Sequence, residues 1–156
     1  MPLNPDQFRA AMGSLANGVT LVTVATPEGA MGMTATAVSS LSLDPPLLLV
    51  CIGHEASLHG AIVAAPSFGV VMLAEGQQPL ADYFATRGRQ AFEPATPRTP
   101  AGLPRPRGAL AVIDCRRTAV LEGGDHSIVI GELLWADVAD GRPLLHFRGR
   151  YTGLLT

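Results

Sequence analysis

The stretch Gly32-Met33-Thr34-Ala35-Thr36-Ala37-Val38-Ser39-Ser40-Leu41-Ser42 decides how this chain is read. It mixes small side chains with hydroxyls. Thr, Val and Ser in loose alternation suit an extended backbone. Small side chains let a second body come close to that backbone. Hydroxyls and peptide N–H groups then supply hydrogen bonds to its edge. A plain strand with Thr and Ser on a wet face explains the same composition, because β-propensity already favours Thr.

Upstream lies a Val- and Thr-rich run, 19–26, and then the turn signal Pro27-Glu28-Gly29. With the run 31–43 it reads as a hairpin. Asn4-Pro5-Asp6 starts a short helix, with a cap, a proline at the first position and an acid at the positive end of the dipole. Phe8, Met12 and Leu15 share one face of it, and Asn17-Gly18 ends it.

Downstream, Asp44-Pro45-Pro46 breaks the chain, and the apolar run 47–52 reads as a buried strand. Helical spacing over 57–65, a strand over 67–73 and a helix over 78–86 follow. Residues 87–108 hold five prolines and five arginines and read as a long loop, either a solvated excursion or a lid. Strand signals return at 109–115, 117–121 and 126–138, with a turn at Glu122-Gly123-Gly124-Asp125. A last strand is expected over 144–151. Hairpin-like neighbours without βαβ alternation point to a mainly β antiparallel barrel with short helical inserts.

The chain has 156 residues, enough for one domain over 1–156. Hydrophobic residues make up 47% and charged ones 15%, against about 25% charged in a typical soluble domain. A second subunit or a ligand is expected to cover part of that apolar surface. The net charge of −2 argues against nucleic acid or an anionic membrane surface. There is no lysine, so Schiff-base chemistry and a P-loop lysine are excluded. Two cysteines without CxxC spacing make no metal site. No signal peptide is read at the N-terminus. Apolar runs of about eight residues fall short of the roughly 20 that span a bilayer. The expected compartment is the cytoplasm, with reduced thiols.

No G-x-S-x-G elbow or G-x-G-x-x-G fingerprint is present. Cys51, in LLLVCIG, reads as a buried, inert thiol. His126 after Gly-Gly-Asp stands at the mouth of a strand, free either to meet a ligand or to secure the turn through Asp125. His146 inside an apolar strand reads as a satisfied, partly buried histidine. The 32–42 stretch fits the needs of an isoalloxazine ring: an N–H near N5, donors near the pyrimidine carbonyls and one open face.

These pieces together resemble the flavin reductase domain family, whose fold is the Greek-key FMN-binding split barrel. The resemblance rests on Gly18-Val19-Thr20-Leu21-Val22-Thr23, on the 32–51 region, on Leu80-Ala81-Asp82-Tyr83-Phe84-Ala85, on Gly124-Asp125-His126-Ser127 and on Phe147-Arg148-Gly149-Arg150-Tyr151. It implies that Thr34, Ala35, Thr36, Ala37, Ser39, Ser40 and Leu41 line the flavin. Cys51 and Ser57 would lie near the ribityl chain and phosphate, while Phe84 and Arg87 close the site. Arg150 and Tyr151 border the same pocket, and His126 is the histidine near flavin and nicotinamide.

The implied activity is hydride transfer from NADH or NADPH to FMN or FAD, with reduced flavin supplied to a partner monooxygenase. A homodimer and no metal are implied as well. The alternative is a non-enzymatic FMN-binding electron carrier or flavin store. One departure stands out. Where relatives carry a second hydroxyl for the phosphate, this chain reads Ser57-Leu58-His59, with His59 as a possible substitute donor.

Overall fold

The structure is a computed structural model that describes residues 1–88 and 90–155. In chain order the elements are α1 (Pro5–Gly13), β1 (Asn17–Gly18), β2 (Thr20–Thr26), β3 (Gly29–Ala35), β4 (Val38–Leu43) and β5 (Pro46–Gly53). Then come α2 (His59–Ala64), β6 (Ser67–Met72), α3 (Gln78–Ala85), β7 (Gln90–Ala91), β8 (Ala111–Gly123) and β9 (His126–Val138). The chain finishes with β10 (Leu145–Phe147) and β11 (Arg150–Thr152). Helix α1 opens with a full capping box. The Gln7 N–H donates to Asn4 Oδ1 at 2.8 Å, and the Asn4 N–H donates back to Gln7 Oε1 at 3.0 Å.

The larger sheet runs β4-β5-β9-β8-β6-β2-β3-β7, with every pairing antiparallel. β3 and β4 stand six places apart in that order, yet only Thr36 and Ala37 separate them in sequence. In a flat sheet six spacings are about 29 Å. Three Cα steps reach about 11 Å at full stretch. The sheet must therefore curl until its margins meet, which makes a barrel split along an unpaired seam between β3 and β4. The run 31–43 is two strands rather than one, because the chain changes partners at the seam. β3 ends where Ala35 meets Thr20, and β4 begins where Val38 meets Val50.

Two apolar layers hold the barrel. Val22, Val24, Val50, Ile52, Phe68 and Val129 fill the interior. Val19, Leu21, Val71, Val112, Phe84 and Phe92 form a second cluster. Each fully buried side chain of this size contributes roughly 1.5–3 kcal/mol. β2 is buried on both faces from Thr20 to Val24, which accounts for its lack of a charged residue.

Three further expectations are revised. The last strand, 144–151, is the hairpin β10–β11, turned through Arg148 (φ 48°) and Gly149 (φ 78°), two consecutive left-handed residues as a tight hairpin turn requires. The strand signals at 109–115 and 117–121 form one strand, β8, with irregular register at Asp114/Cys115 and Arg117/Ala119. The Pro/Arg-rich segment is no solvated excursion along its length. Leu103 (2% exposed) and Phe92 (8%) are buried, and the Ala101 N–H donates to Asp114 Oδ2 at 3.1 Å. Residues 92–108 form a strap lying against the barrel.

Candidate functional site

A cavity of about 760 Å³ opens beside the seam. One wall is the end of β3 and the seam itself, Met33 to Thr36. A second is Glu55, Ala56 and Ser57, just after β5. A third is the end of α3 and its following turn, Phe84 to Gly88, and His146 and Tyr151 complete the lining. The volume lies within the roughly 300–1,000 Å³ of typical ligand sites.

Local packing explains why these residues stand there. Gly32 leaves room for two aromatic rings, since a Cβ on it would lie 2.7 Å from Phe92 and 3.2 Å from Phe84. Those rings stack at 4.3 Å between centroids, which presses Phe84 into the wall. Thr34 Oγ1 donates to Ala81 O at 2.6 Å and pins α3 onto β3. Thr20 Oγ1 donates to Ala35 O at 2.7 Å. Ser57 Oγ donates to Gly88 O at 2.7 Å. The Tyr151 phenol is pushed above its ordinary value, first by burial and then by the Asp82 charge, so at neutral pH it remains a hydrogen-bond donor. Among the described residues Arg87 is the one guanidinium and Glu55 the one carboxylate on the lining.

Seven of the residues expected at the site line this cavity: Thr34, Ala35, Thr36, Ser57, Phe84, Arg87 and Tyr151. Ser39 and Ser40 line a smaller, mostly apolar pocket of about 240 Å³ that shares Thr36 with the first. Ala37, Leu41, Cys51, Arg150 and His126 line neither. The Cys51 N–H donates to Ala37 O at 2.9 Å, which ties β5 to the seam. The Cys51 thiol is half-buried, not inert in the core. Alternation along β5 turns Leu48, Val50 and Ile52 inward and Cys51 the other way. Arg89 lies outside the described residues.

His126 binds Asp125 Oδ1 through Nδ1 at 2.7 Å and stands opposite Gly53. That hydrogen bond, then the His126 charge, holds the Asp125 carboxyl below its ordinary value. His54 lies 3.5 Å from Glu122 and edge-on to His59. His59 is hydrogen-bonded to Ser127 Oγ at 2.8 Å and lines neither cavity. Among the described residues no group of side chains is arranged to hold a metal ion.

Sequence reasoning passed over Glu55 and His146. His146 is set directly across from Tyr151 in the terminal hairpin, with the rings 5.8 Å apart. The Arg148-Gly149 turn is the signal that would have paired them.

The flavin reductase like domain matches residues 12–155. The chain belongs to that family. An FMN reductase (NADH), SmoA, of Agrobacterium fabrum is 39% identical over 95% of this chain and 85% of its own length. The reductase component of a 4-hydroxyphenylacetate 3-monooxygenase from Thermus thermophilus is 36% identical over 96% and 97%. A solved flavin reductase in its native state superposes with a TM-score of 0.91 at 34% identity, covering 99% of this chain and 100% of that one. In this flavin reductase-like chain, as in that structure, the split barrel is the scaffold.

Proposed function

We propose that this chain is an NADH-dependent flavin reductase that takes FMN or FAD and supplies reduced flavin to a partner monooxygenase. The carrying observation is the seam cavity. It offers small residues and, among the described residues, one guanidinium, Arg87, in a chain of the flavin reductase family. A flavin held there would supply the hydride acceptor for a reduced nicotinamide.

The protein's part is to hold two rings face to face, which can lower a barrier by roughly 7–11 kcal/mol. Ala35, Thr36 and Ala37 admit the ring edge, with Thr34 bracing α3 behind it. Ser39 and Ser40 extend that lining past the seam, with Leu41 next to them on β4. Ser57 and Arg87 receive the anionic tail, with Cys51 anchoring the strand before them. Phe84 and Tyr151 border the far side, with Arg150 next to Tyr151 on β11. His126, oriented by Asp125, meets the nicotinamide. No strong general acid or base is required for the hydride transfer.

The reading extends to one domain over 1–156, a homodimer, and the cytoplasm, where NADH circulates and thiols stay reduced. Support for the dimer is the apolar surface left on one chain: Phe8, Leu43, Leu121 and Val138 are 56%, 92%, 50% and 77% exposed. No helix among the described residues is long and apolar enough to cross a membrane.

Anaerobic stopped-flow tests the activity. Protein saturated with FMN is mixed with NADH and, separately, NADPH, and visible flavin absorbance is followed. Fast bleaching by NADH is expected, and bound flavin that neither nucleotide reduces would overturn the reading. His126→Ala is expected to raise KM for NADH or lower kcat with flavin binding intact. Unchanged kinetics would remove that role from His126.

A further inference from the structure

The turn that carries Arg87 is short and clamped. α3 ends at Ala85, and five residues later β7 pairs Gln90 with Gly32. The Phe92 N–H then donates to Ala30 O at 2.9 Å. Between these clamps Thr86, Arg87 and Gly88 are exposed, and Gly88 is left-handed at φ 100°. Among the described residues the other bonds of the turn are longer: Thr86 Oγ1 to Asp82 O at 3.2 Å, Thr86 N–H to Tyr83 O at 3.4 Å, and Gln90 Nε2 to Arg87 O at 3.5 Å. The short one, 2.7 Å, comes from Ser57, 31 residues earlier and on the facing wall. The Arg87 guanidinium has no partner among the described residues, so the anionic end of a cavity ligand is drawn to this corner.

A serine hydroxyl carries one proton to donate, and phosphate oxygens are acceptors. Ser57 therefore serves either Gly88 O or a phosphate, never both. A ribityl hydroxyl is different, because it can donate its own proton to Ser57 Oγ and leave the Gly88 bond in place.

We infer that Ser57 is an exchange donor that distinguishes phosphorylated flavin from riboflavin: the 5′-phosphate of FMN or FAD takes the Ser57 proton from Gly88 and unfastens the 86–88 turn, whereas riboflavin leaves the turn fastened. Unfastened, the turn is free to bring Arg87 onto the phosphate. The cost is one internal hydrogen bond for each phosphate bond gained, so phosphate recognition through Ser57 is weaker than its geometry suggests. This inference rests on the flavin reading above.

The experiment uses the full chain labelled with carbonyl-¹³C glycine and ¹⁵N arginine. The sequence contains three Gly-Arg steps, Gly88-Arg89, Gly141-Arg142 and Gly149-Arg150, so three signals appear and Gly88→Ala assigns the first. Flavin fluorescence quenching establishes saturation in parallel. FMN is expected to move the Gly88 carbonyl signal to the position that Ser57→Ala shows without ligand, and riboflavin to leave it in place. Ser57→Thr, which keeps a donor, is expected to behave like the parent. Ser57→Ala is expected to weaken FMN and riboflavin alike by about fivefold at most, since FMN only exchanges one bond of the parent hydroxyl for another and riboflavin loses one acceptor, so the Gly88 carbonyl signal and not affinity separates the two flavins. If FMN and riboflavin both bind and move the signal alike, or if ligand-free Ser57→Ala does not move it, the exchange is overturned and flavin binding stands. If neither flavin quenches, both readings fall.

Discussion

The strap side of the barrel and the seam side use the same device for opposite purposes. On the strap side, Gly69 stands between Thr23 and Asp114 on adjacent strands. A Cβ there would lie 2.2 Å from Thr23 Oγ1 and 3.5 Å from Leu103, so the missing side chain makes room for protein. Gly32 does the same for Phe84 and Phe92. At the seam, Ala35 and Thr36 also carry short side chains, yet a cavity faces them. Small residues in a strand thus mark where something comes close. Whether that body is protein or ligand depends on segments far away in sequence.

The contrast has measurable edges. The largest effect is expected for Phe92→Ala, which empties the space over Gly32 and lets go of the strap's first buried ring. A loss of about 3–5 kcal/mol is expected in chemical unfolding. At about 2–4 °C of Tm per kcal/mol the shift is easily resolved. A loss below about 1 kcal/mol would mean the strap is dispensable to the wall. Next is Asp114→Ala, which leaves the Ala101 N–H without its acceptor; about 1–3 kcal/mol is expected, with Asp114→Asn losing much less. The urea midpoint reads both.

The seam should answer differently. Thr36→Val keeps the shape and is expected to change stability by no more than about 0.5 kcal/mol while raising the flavin Kd. A large stability loss without change in Kd would make the seam ordinary wall.

The two thiols carry the contrast into reactivity. Burial, and then the Asp114 charge, push the Cys115 thiol up to about 12, whereas Cys51 is half-buried on the wall. Alkylation of the native protein at pH 8 is expected to label Cys51 ahead of Cys115 by mass spectrometry. Because the folded value of Cys115 exceeds its ordinary 9.0, its contribution is complete below that pH and is lost as pH rises towards about 12.

The smallest effect belongs to Asp125, whose folded value lies below its ordinary 3.8. Its contribution is present above that ordinary value and is lost as pH falls through the lower one. Asp125→Asn is expected to flatten the acid end of the stability–pH curve slightly. An unchanged curve would mean that the Asp125–His126 bond adds nothing to the fold.

Much of the barrel was legible in the residues. Asn4-Pro5-Asp6 announces α1, and Pro27-Glu28-Gly29 announces the first hairpin. Local rules govern both. What stayed hidden depends on partners. Thr36-Ala37 breaks the run because the chain changes neighbours there, and both halves remain β-prone. Leu103 and Ala101 sit in a Pro/Arg-rich segment whose composition signals solvent, and only the contact over Gly69 reveals the burial of Leu103 and only the Asp114 carboxylate the attachment of Ala101. Cys51 looked buried because its neighbours are apolar, although strand alternation turns it out. His146 was concealed by reading one strand where a left-handed turn makes two.

The two-residue step from β3 to β4 has a mechanical meaning as well. The lips of the seam are tethered by Thr36 and Ala37, so the slot has a maximum gauge written in bond lengths rather than in packing. Loosening the barrel elsewhere leaves that gauge intact, while a single residue inserted at the tether acts as a shim. The width of ligand the slot accepts is therefore a quantity that one codon can adjust.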